Sequence, residues 1–262
     1  MDMKHSLALI LVLLLSGCFL FEKKEEAANL SASKLFSDAM EDMDDKNYEQ
    51  AIKKFETLEA RYPYGRYAEQ AQLEVAYAYY KQEDVASTTA ACDRFIKLHP
   101  THPNVDYAYY MKGLANFNEN LGLIASLGGQ DMTERDPKQA RQSYDAFKEL
   151  VTRFPNSKYT EDAAARMRFV LNGLANYEVQ VARYYMKRKA YVAAVNRAQY
   201  VLQNYQKTPA TEEALLIMVK AYDAMGVTDL RDDAERVMKQ NFPNSKYLSG
   251  SADGGKSWWK FW

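Results

Sequence analysis

The sequence predicts an all-α fold, a right-handed superhelical solenoid of about five helix pairs. Three observations predict it. Apolar residues recur at spacings of three and four, the alternation typical of strands never persists, and one seven-residue phrase returns three times. The phrase reads RYPYGRY from residue 61, RFPNSKY from 153 and NFPNSKY from 241. Such a period indicates stacked units, none of which buries its apolar face alone.

The residues before the first two phrases identify the repeat. NYEQAIKKFETLEARYP and DPKQARQSYDAFKELVTRFP align without gaps, so that Ala51 coincides with Ser143 and Phe55 with Phe147. A small residue, an aromatic four later and a proline eight beyond it are typical of the second helix of a tetratricopeptide repeat. The small residue lets paired helices approach closely, and the proline ends the helix.

The first helices of the pairs also carry small residues at one register position, namely Ala39, Ala76, Gly113 and Ala182. From this register we expect a solenoid over 34–248. Its predicted repeats are 34–66, 72–103, 106–158, 175–208 and 212–246. The third contains an insertion, 119–136, that lengthens it by roughly eighteen residues over a 34-residue unit. We expect an ordered loop that folds back on the solenoid or else meets a partner.

The amino terminus has the pattern of a lipoprotein signal. MDMKHSLALILVLLLSGC contains an apolar run, 7–15, that is too short to span a bilayer, and LSGC resembles a lipobox. We therefore expect a signal peptide over 1–17 and acylation of Cys18, with an ordinary secretory signal as the alternative. The covalent lipid on Cys18 is the one non-protein group expected, and it would tether the chain to a membrane.

The residues after the lipobox predict the location. Phe19 stands where an aspartate marks lipoproteins for the inner membrane, so the outer membrane is favoured. The charged segment 18–33 has no clear apolar face and is predicted to be a flexible tether. No later segment approaches ~18 continuous apolar residues, so no membrane-spanning helix is expected.

Composition argues against several classes of function. With 34 basic and 35 acidic residues the net charge is −1, which gives no general attraction to nucleic acid. After Cys18, Cys92 is the remaining thiol, and its apolar, alanine-rich surroundings predict a small buried side chain. His99 and His102 lie in HPTHP, where turn histidines are a better interpretation than metal ligands. Without a catalytic motif, we expect neither an enzyme nor a metal site.

The tetratricopeptide register assigns an apolar, aromatic set of side chains to the concave groove. These residues are Phe36, Met40, Met43, Leu73, Tyr77, Tyr80, Tyr107, Tyr110, Leu114 and Phe117. Aromatic and methionine side chains bury much area and adapt in shape, so such a groove suits an extended or partly folded apolar peptide. The alternative is that they belong to the core, because a one-residue register error rotates a side chain by about 100°.

The fourth repeat is basic where the others are apolar. Arg183 and Lys187 lie one helical turn apart in RYYMKRKAY, which also contains Arg188, and Arg197 is predicted on the following helix. Mixed basic and aromatic residues sometimes bind nucleic acid, but an exported protein rarely meets it. An acidic protein partner or a solvated helix face fits better.

The lipobox, the repeats and four longer phrases carry a family resemblance. RYPYGRYAEQAQLEVAYAYYK, DRFIKLHPTHPNVDYAYYMKGL, RDPKQAR and FPNSKYTEDA resemble the BamD family, lipoproteins of the outer-membrane β-barrel assembly complex, over about Ser31–Tyr247. The resemblance implies a non-catalytic scaffold facing the periplasm. Its amino-terminal repeats would recognise carboxy-terminal signals of unfolded outer-membrane proteins. Its carboxy-terminal repeats would dock the barrel subunit, BamA, in a complex with accessory Bam lipoproteins.

Carried onto this chain, the resemblance assigns Tyr62, Tyr64 and Gly65 to the substrate region, and Arg197 with its basic neighbours to the docking region. The end of the sequence departs from the family, because LSGSADGGKSWWKFW adds a Gly/Ser spacer and an aromatic, basic tail over 249–262. That tail is an interfacial foot, an imitation of a substrate's aromatic terminus, or an unstructured remnant.

Two other functions remain open from the sequence. A cell-envelope lipoprotein with the same solenoid would organise peptidoglycan or its enzymes. A metal-dependent envelope enzyme would depend on His99 and His102 alone.

Overall fold

The computed structural model of the chain describes residues 30–117, 137–245 and 247. All regular secondary structure in these ranges is helical, with ten helices and no strand. The prediction of an all-α fold built from helix pairs is confirmed. The chain divides into two compact units, 1–111 and 112–262. The predicted signal peptide, Cys18, the whole 119–136 insertion and the 249–262 tail lie outside the described residues.

The first four helices of the first unit pack on one another in chain order. The helices that begin in this unit are α1 Ala32–Asp44, α2 Tyr48–Arg61, α3 Arg66–Lys81, α4 Val85–Leu98 and α5 Val105–Ala115, the last of which continues past the boundary. Side chains cap the amino termini of α1 and α4. The Ser31 hydroxyl accepts a hydrogen bond from the Lys34 N–H, and the Asp84 carboxylate accepts one from the Ser87 N–H. These bonds satisfy backbone donors that a helix leaves unpaired at its start.

The second unit contains the longest helix of the described residues. Its helices are α6 Lys138–Arg153, α7 Thr160–Lys187, α8 Tyr191–Asn204, α9 Ala210–Met225 and α10 Thr228–Asn241. Helix α7 is a continuous 28 residues and begins well before 175, where the fourth repeat was predicted to start. It packs on α6, α8 and α9, so it takes part in more than one helix pair.

Small residues line the helix pairs where the register predicted them. The small residues of the first helices, Ala39, Ala76 and Ala182, are completely buried. So are the facing small residues of the second helices, which are Ala51, Thr88, Ser143 and Ala194. A small side chain on each helix allows the two backbones to approach, and the larger apolar residues then fill the space around the contact.

The second helix of each pair ends in the same way. The aromatic or histidine residue after the helix adopts φ near −130° and donates its N–H to the carbonyl four residues earlier, at 2.8 Å in every case. The residues in this position are Tyr62, His99, Phe154, Tyr205 and Phe242. The aromatic residue near the start of the repeated phrase is therefore the C-cap of the preceding helix.

The turns inside the pairs share a second backbone feature. One residue in each of four such turns has a left-handed conformation: Lys46, Glu83, Lys189 and Gly226, with φ between 59° and 73°. Only the last is a glycine, so three turns hold a non-glycine residue at a cost of about 1 kcal/mol each. Packing of the helices on both sides offsets that cost.

Gly113 is a site of close helix approach in the second unit. A Cβ atom at this position would overlap the ring of Phe147, which is completely buried. The Ser143 hydroxyl donates to the Gly113 carbonyl at 2.9 Å, so the same contact is also hydrogen-bonded. Glycine is needed here for space, because its helical backbone is available to any residue.

We predict that Gly113→Ala destabilises the second unit by about 1–3 kcal/mol, the usual cost of overpacking a core. Urea denaturation followed by circular dichroism would measure the change. The double variant Gly113→Ala with Phe147→Leu should recover part of the loss, since it removes the ring that the new methyl group meets. Equal costs in the single and double variants would show that the contact is not the cause.

Candidate functional site

The turn from Tyr62 to Gly65 carries Tyr64, the most exposed large hydrophobic side chain among the described residues. Tyr64 is 91% exposed, whereas Tyr62 is 39% exposed and donates its hydroxyl to the Leu30 carbonyl at 3.0 Å. A tyrosine held in solvent has no packing role that would explain it. Its ring is available to a partner.

This turn differs from the other two copies of the phrase. In those copies the Ser157 and Ser245 N–H groups donate to the carbonyls of Phe154 and Phe242, both at 3.0 Å. Each serine hydroxyl also accepts the N–H two residues later, at 3.2 Å. Gly65 replaces the serine in the first copy, so the hydroxyl contact is lost.

The reason for the glycine is the backbone. Gly65 has φ 98° and ψ 171°, a backbone conformation that residues with a Cβ rarely adopt. Space is not the reason for the glycine, because no atom lies within 4 Å of where its Cβ would be. The first turn therefore follows a path that the serine copies do not take. That path ends in α3 and leaves Tyr64 pointing into solvent.

The aromatic residues predicted for the groove in the first unit are mostly partly exposed. Phe36 packs 5.5 Å from Phe55 and 5.6 Å from Tyr67, measured between ring centroids, and the Tyr77 and Tyr80 rings are 6.4 Å apart. The predicted residues that keep partial exposure in this unit are Phe36, Met40, Tyr77, Tyr80, Tyr107 and Tyr110. They combine a packed edge with an accessible one, as a peptide-binding surface requires.

Two predicted groove residues are in the core instead. Met43 is 7% and Leu73 6% exposed, because their positions on the helical wheel face the neighbouring helices. Leu114 and Phe117 belong to the second unit. Phe117 is partly buried against Phe147 and Phe169, and the Arg166 guanidinium lies 4.8 Å from its ring centroid. Phe117 is thus largely a packing residue.

The sequence reasoning missed Glu74. This carboxylate lies on α3 between the buried Ala71 and Ala78 and is itself partly buried, and burial raises its pKa. Among the described residues it has neither a hydrogen bond nor an ion pair. The sequence offered one sign of this burial: Glu74 lies one helical turn from Ala71 and from Ala78, which belong to the apolar face of the helix.

The basic segment of the second unit is partly occupied by internal contacts. Arg183 on α7 is ion-paired with Glu213 on α9, which joins the two helices. The Arg188 guanidinium lies 4.9 Å from the ring centroid of Tyr184, itself 50% exposed. Arg188 and Lys187 are both exposed. Arg197 is exposed as well, but Lys187 and Arg188 lie next to each other at the carboxy-terminal end of α7.

Arg197 has a structural partner. Its Nη1 atom lies 3.0 Å from Oε2 of Glu178, and Arg141 Nη2 lies 3.6 Å from the other carboxylate oxygen. The Glu178 side chain is 2% exposed, while the two arginines are 44% and 48% exposed. The hydrogen bond to Glu178 raises the pKa of Arg197, and burial raises the pKa of the nearby Tyr205 to about 12. Arg197 therefore neutralises a buried charge as well as facing solvent.

The remaining candidates have local roles. Cys92 is completely buried against Ala76 and Met111, as predicted. His99 lies 3.1 Å from Gln72, and His102 lies 3.5 Å from Glu69. Within the described ranges no group of three His, Cys, Asp or Glu side chains is arranged to hold a metal ion. In the same residues, no helix is both long enough and apolar enough to cross a bilayer.

We predict that Glu74→Gln stabilises the first unit at pH 7, by about 1 kcal/mol, because it removes a partly buried charge. The folded-state pKa of Glu74 is raised, so the ionised carboxylate opposes folding above the ordinary glutamate pKa of about 4.3. The gain should shrink as the pH falls through the raised folded-state pKa and should vanish below the ordinary value, where both states are protonated. Thermal unfolding at pH 7 and pH 4 would measure it.

Glu56→Gln is the matched control, since it removes the same charge from an exposed position on α2. It should change stability little at either pH. A lower melting temperature for Glu74→Gln at pH 7 would mean that the carboxylate makes a favourable contact and would contradict the prediction.

The chain is similar to a set of outer-membrane assembly proteins. It is 47% identical over 233 residues to the outer membrane protein assembly factor BamD of Neisseria meningitidis serogroup A, covering 88% of this chain and 87% of the relative. It is 44% identical to the protein of that name from Neisseria gonorrhoeae, covering 99% of each chain. The Vibrio cholerae BamD is 36% identical, covering 89% and 96%.

A family model agrees with these relatives. The family described as "YfiO: Outer membrane lipoprotein" matches residues 28–237, which include nearly all of the described helices. The expected resemblance is confirmed, and the chain belongs to the BamD (YfiO) family of outer membrane lipoproteins.

Proposed function

We propose that this chain is a lipid-anchored scaffold of outer-membrane protein assembly that faces the periplasm. Its first unit would bind unfolded outer-membrane proteins, and its second unit would dock the barrel subunit BamA and accessory Bam lipoproteins. Membership of the family, whose relatives are named outer membrane protein assembly factors, supports assembly as the process. Attachment would depend on a lipid on Cys18. The proposal assigns the chain no catalytic step.

One observation carries the proposal for substrate binding: the first turn holds Tyr64 in solvent where the other copies of the phrase have asparagine. The partly exposed rings of Tyr77 and Tyr80 add an apolar surface within the same unit. Unfolded barrel strands carry alternating apolar side chains, so they have aromatic and aliphatic groups to place on such a surface. Aromatic platforms bind them with little loss of side-chain entropy.

For docking, the exposed cations at the end of α7 support an electrostatic contact. Lys187 is the last residue of the 28-residue helix and Arg188 follows it, and both side chains are exposed. Acidic side chains on a partner would find two cations in one place. Interactions of this type mainly raise the rate of association and weaken with salt.

We predict that a photoreactive benzoylphenylalanine at Tyr64 or Tyr77 captures unfolded outer-membrane proteins in growing cells. Both positions lie in the first unit and are at least partly accessible. The same residue at Leu230, which is 47% exposed in the second unit, is the control and should capture none of them. Mass spectrometry would identify the captured proteins. Capture of peptidoglycan enzymes alone would refute the proposal and support the cell-wall alternative.

We predict that Arg188→Glu reduces the amount of barrel subunit that co-purifies with the chain, several-fold at low ionic strength and less at high salt. The Arg188 guanidinium lies over the exposed Tyr184 ring, so its replacement should leave the fold unaffected. Arg236→Glu, on the exposed face of α10, is the control and should retain the partner. Charge reversal at Arg197 is unsuitable, because it would place a second carboxylate beside the buried Glu178. Equal recovery with Arg188→Glu and with Arg236→Glu would exclude Arg188 from the contact.

A further inference from the structure

Glu74 stands apart from the other partly buried carboxylates of the first unit. Each of those has a partner. Asp38 pairs with Lys34 at 2.6 Å, Asp42 with Lys54 at 2.6 Å, Glu59 with Arg94 at 2.9 Å and Glu69 with His102 at 3.5 Å, while Asp106 accepts the Tyr107 N–H at 2.8 Å. Glu74 has none among the described residues. A partly buried carboxylate without a cation or a donor opposes folding, which raises the question of what its partner is.

The position of Glu74 on α3 places it at the edge of the aromatic surface. Ala71 and Ala78, three residues before and four after it, are completely buried in the core that α3 shares with α1 and α2. Tyr77, three residues after it, is partly exposed and packs on the same core from outside. Residues three apart occupy neighbouring positions on one helix face, so Glu74 and Tyr77 project from α3 side by side.

The two groups together suit one kind of ligand. A carboxylate in a partly desolvated position binds a cation more strongly than one in open water, and a neighbouring tyrosine ring attracts the same cation through its face. Pairing with an incoming cation would also remove the cost of the unpaired charge. A neutral or anionic ligand would gain neither contribution.

We propose that Glu74 anchors a lysine or arginine side chain of a polypeptide bound along α3, with Tyr77 beside the cation. This inference rests on the proposed binding of unfolded polypeptides by the first unit and adds a chemical preference to it. A bound segment would place aromatic or aliphatic side chains on the exposed rings and a basic side chain at Glu74.

Fluorescence anisotropy with synthetic peptides would test the anchor. The probes are fluorescein-labelled twelve-residue peptides with alternating aromatic and polar residues, each carrying one arginine, and a set of partners with neutral citrulline in its place. Moving the arginine along the peptide covers the possible binding registers. The unaltered mature chain should bind the best arginine peptide roughly tenfold more tightly than its citrulline partner, as expected for a charge-assisted hydrogen bond.

Two variants locate the preference. Glu74→Gln should bind both peptides equally, with the affinity that the unaltered chain has for the citrulline peptide, while Glu56→Gln should keep the tenfold preference. Equal binding of arginine and citrulline peptides by the unaltered chain would overturn the anchor and leave the proposed substrate binding intact. A preference that survives Glu74→Gln would place the anion elsewhere and overturn it as well. Binding of neither peptide would refute the proposed function together with the anchor.

Discussion

Close contact between paired helices at small residues is the constraint on which the rest of this structure depends. Where Ala39 and Ala51, or Gly113 and Ser143, occupy corresponding positions, the backbones approach so closely that larger side chains are displaced around the contact. Phe147 shows the limit, since its ring covers Gly113 so tightly that one methyl group would overlap it. With the pair contacts filled by small groups, Phe55 and Phe147 fill the core around them, and other aromatic residues lie at the helix ends and on the outer faces.

The periodic features of the fold were predictable because they recur. The aromatic residue that ends each second helix and the small residues inside each pair occupy fixed positions in a repeating phrase, so one copy supports the interpretation of the others. Helix α7 was the exception in its boundaries. Its continuous path from Thr160 could not be foreseen from a 34-residue period, since nothing in the sequence forces a helix to end where a repeat does.

The candidate sites were less predictable, for reasons of geometry. Met43 and Leu73 were assigned to the groove by register alone, and a small rotation of a helix decides between groove and core. The partners of Arg183 and Arg197 lie on other helices, so their ion pairs cannot be read from local sequence. Glu74 was overlooked because glutamate on an amphipathic helix is usually solvated. Its environment is set by the burial of its neighbours, which only packing reveals.

The hydrogen bond from Tyr62 to the Leu30 carbonyl has a mechanical consequence. Leu30 leads back toward Cys18, and the Tyr62 hydroxyl ties this stretch of chain to the turn that carries Tyr64. With an anchor at Cys18, as proposed, a force on the tether would act on the start of α1 through the backbone and on that turn through this one hydrogen bond. Tension on the membrane tether would then be felt at the turn that presents Tyr64 to a substrate.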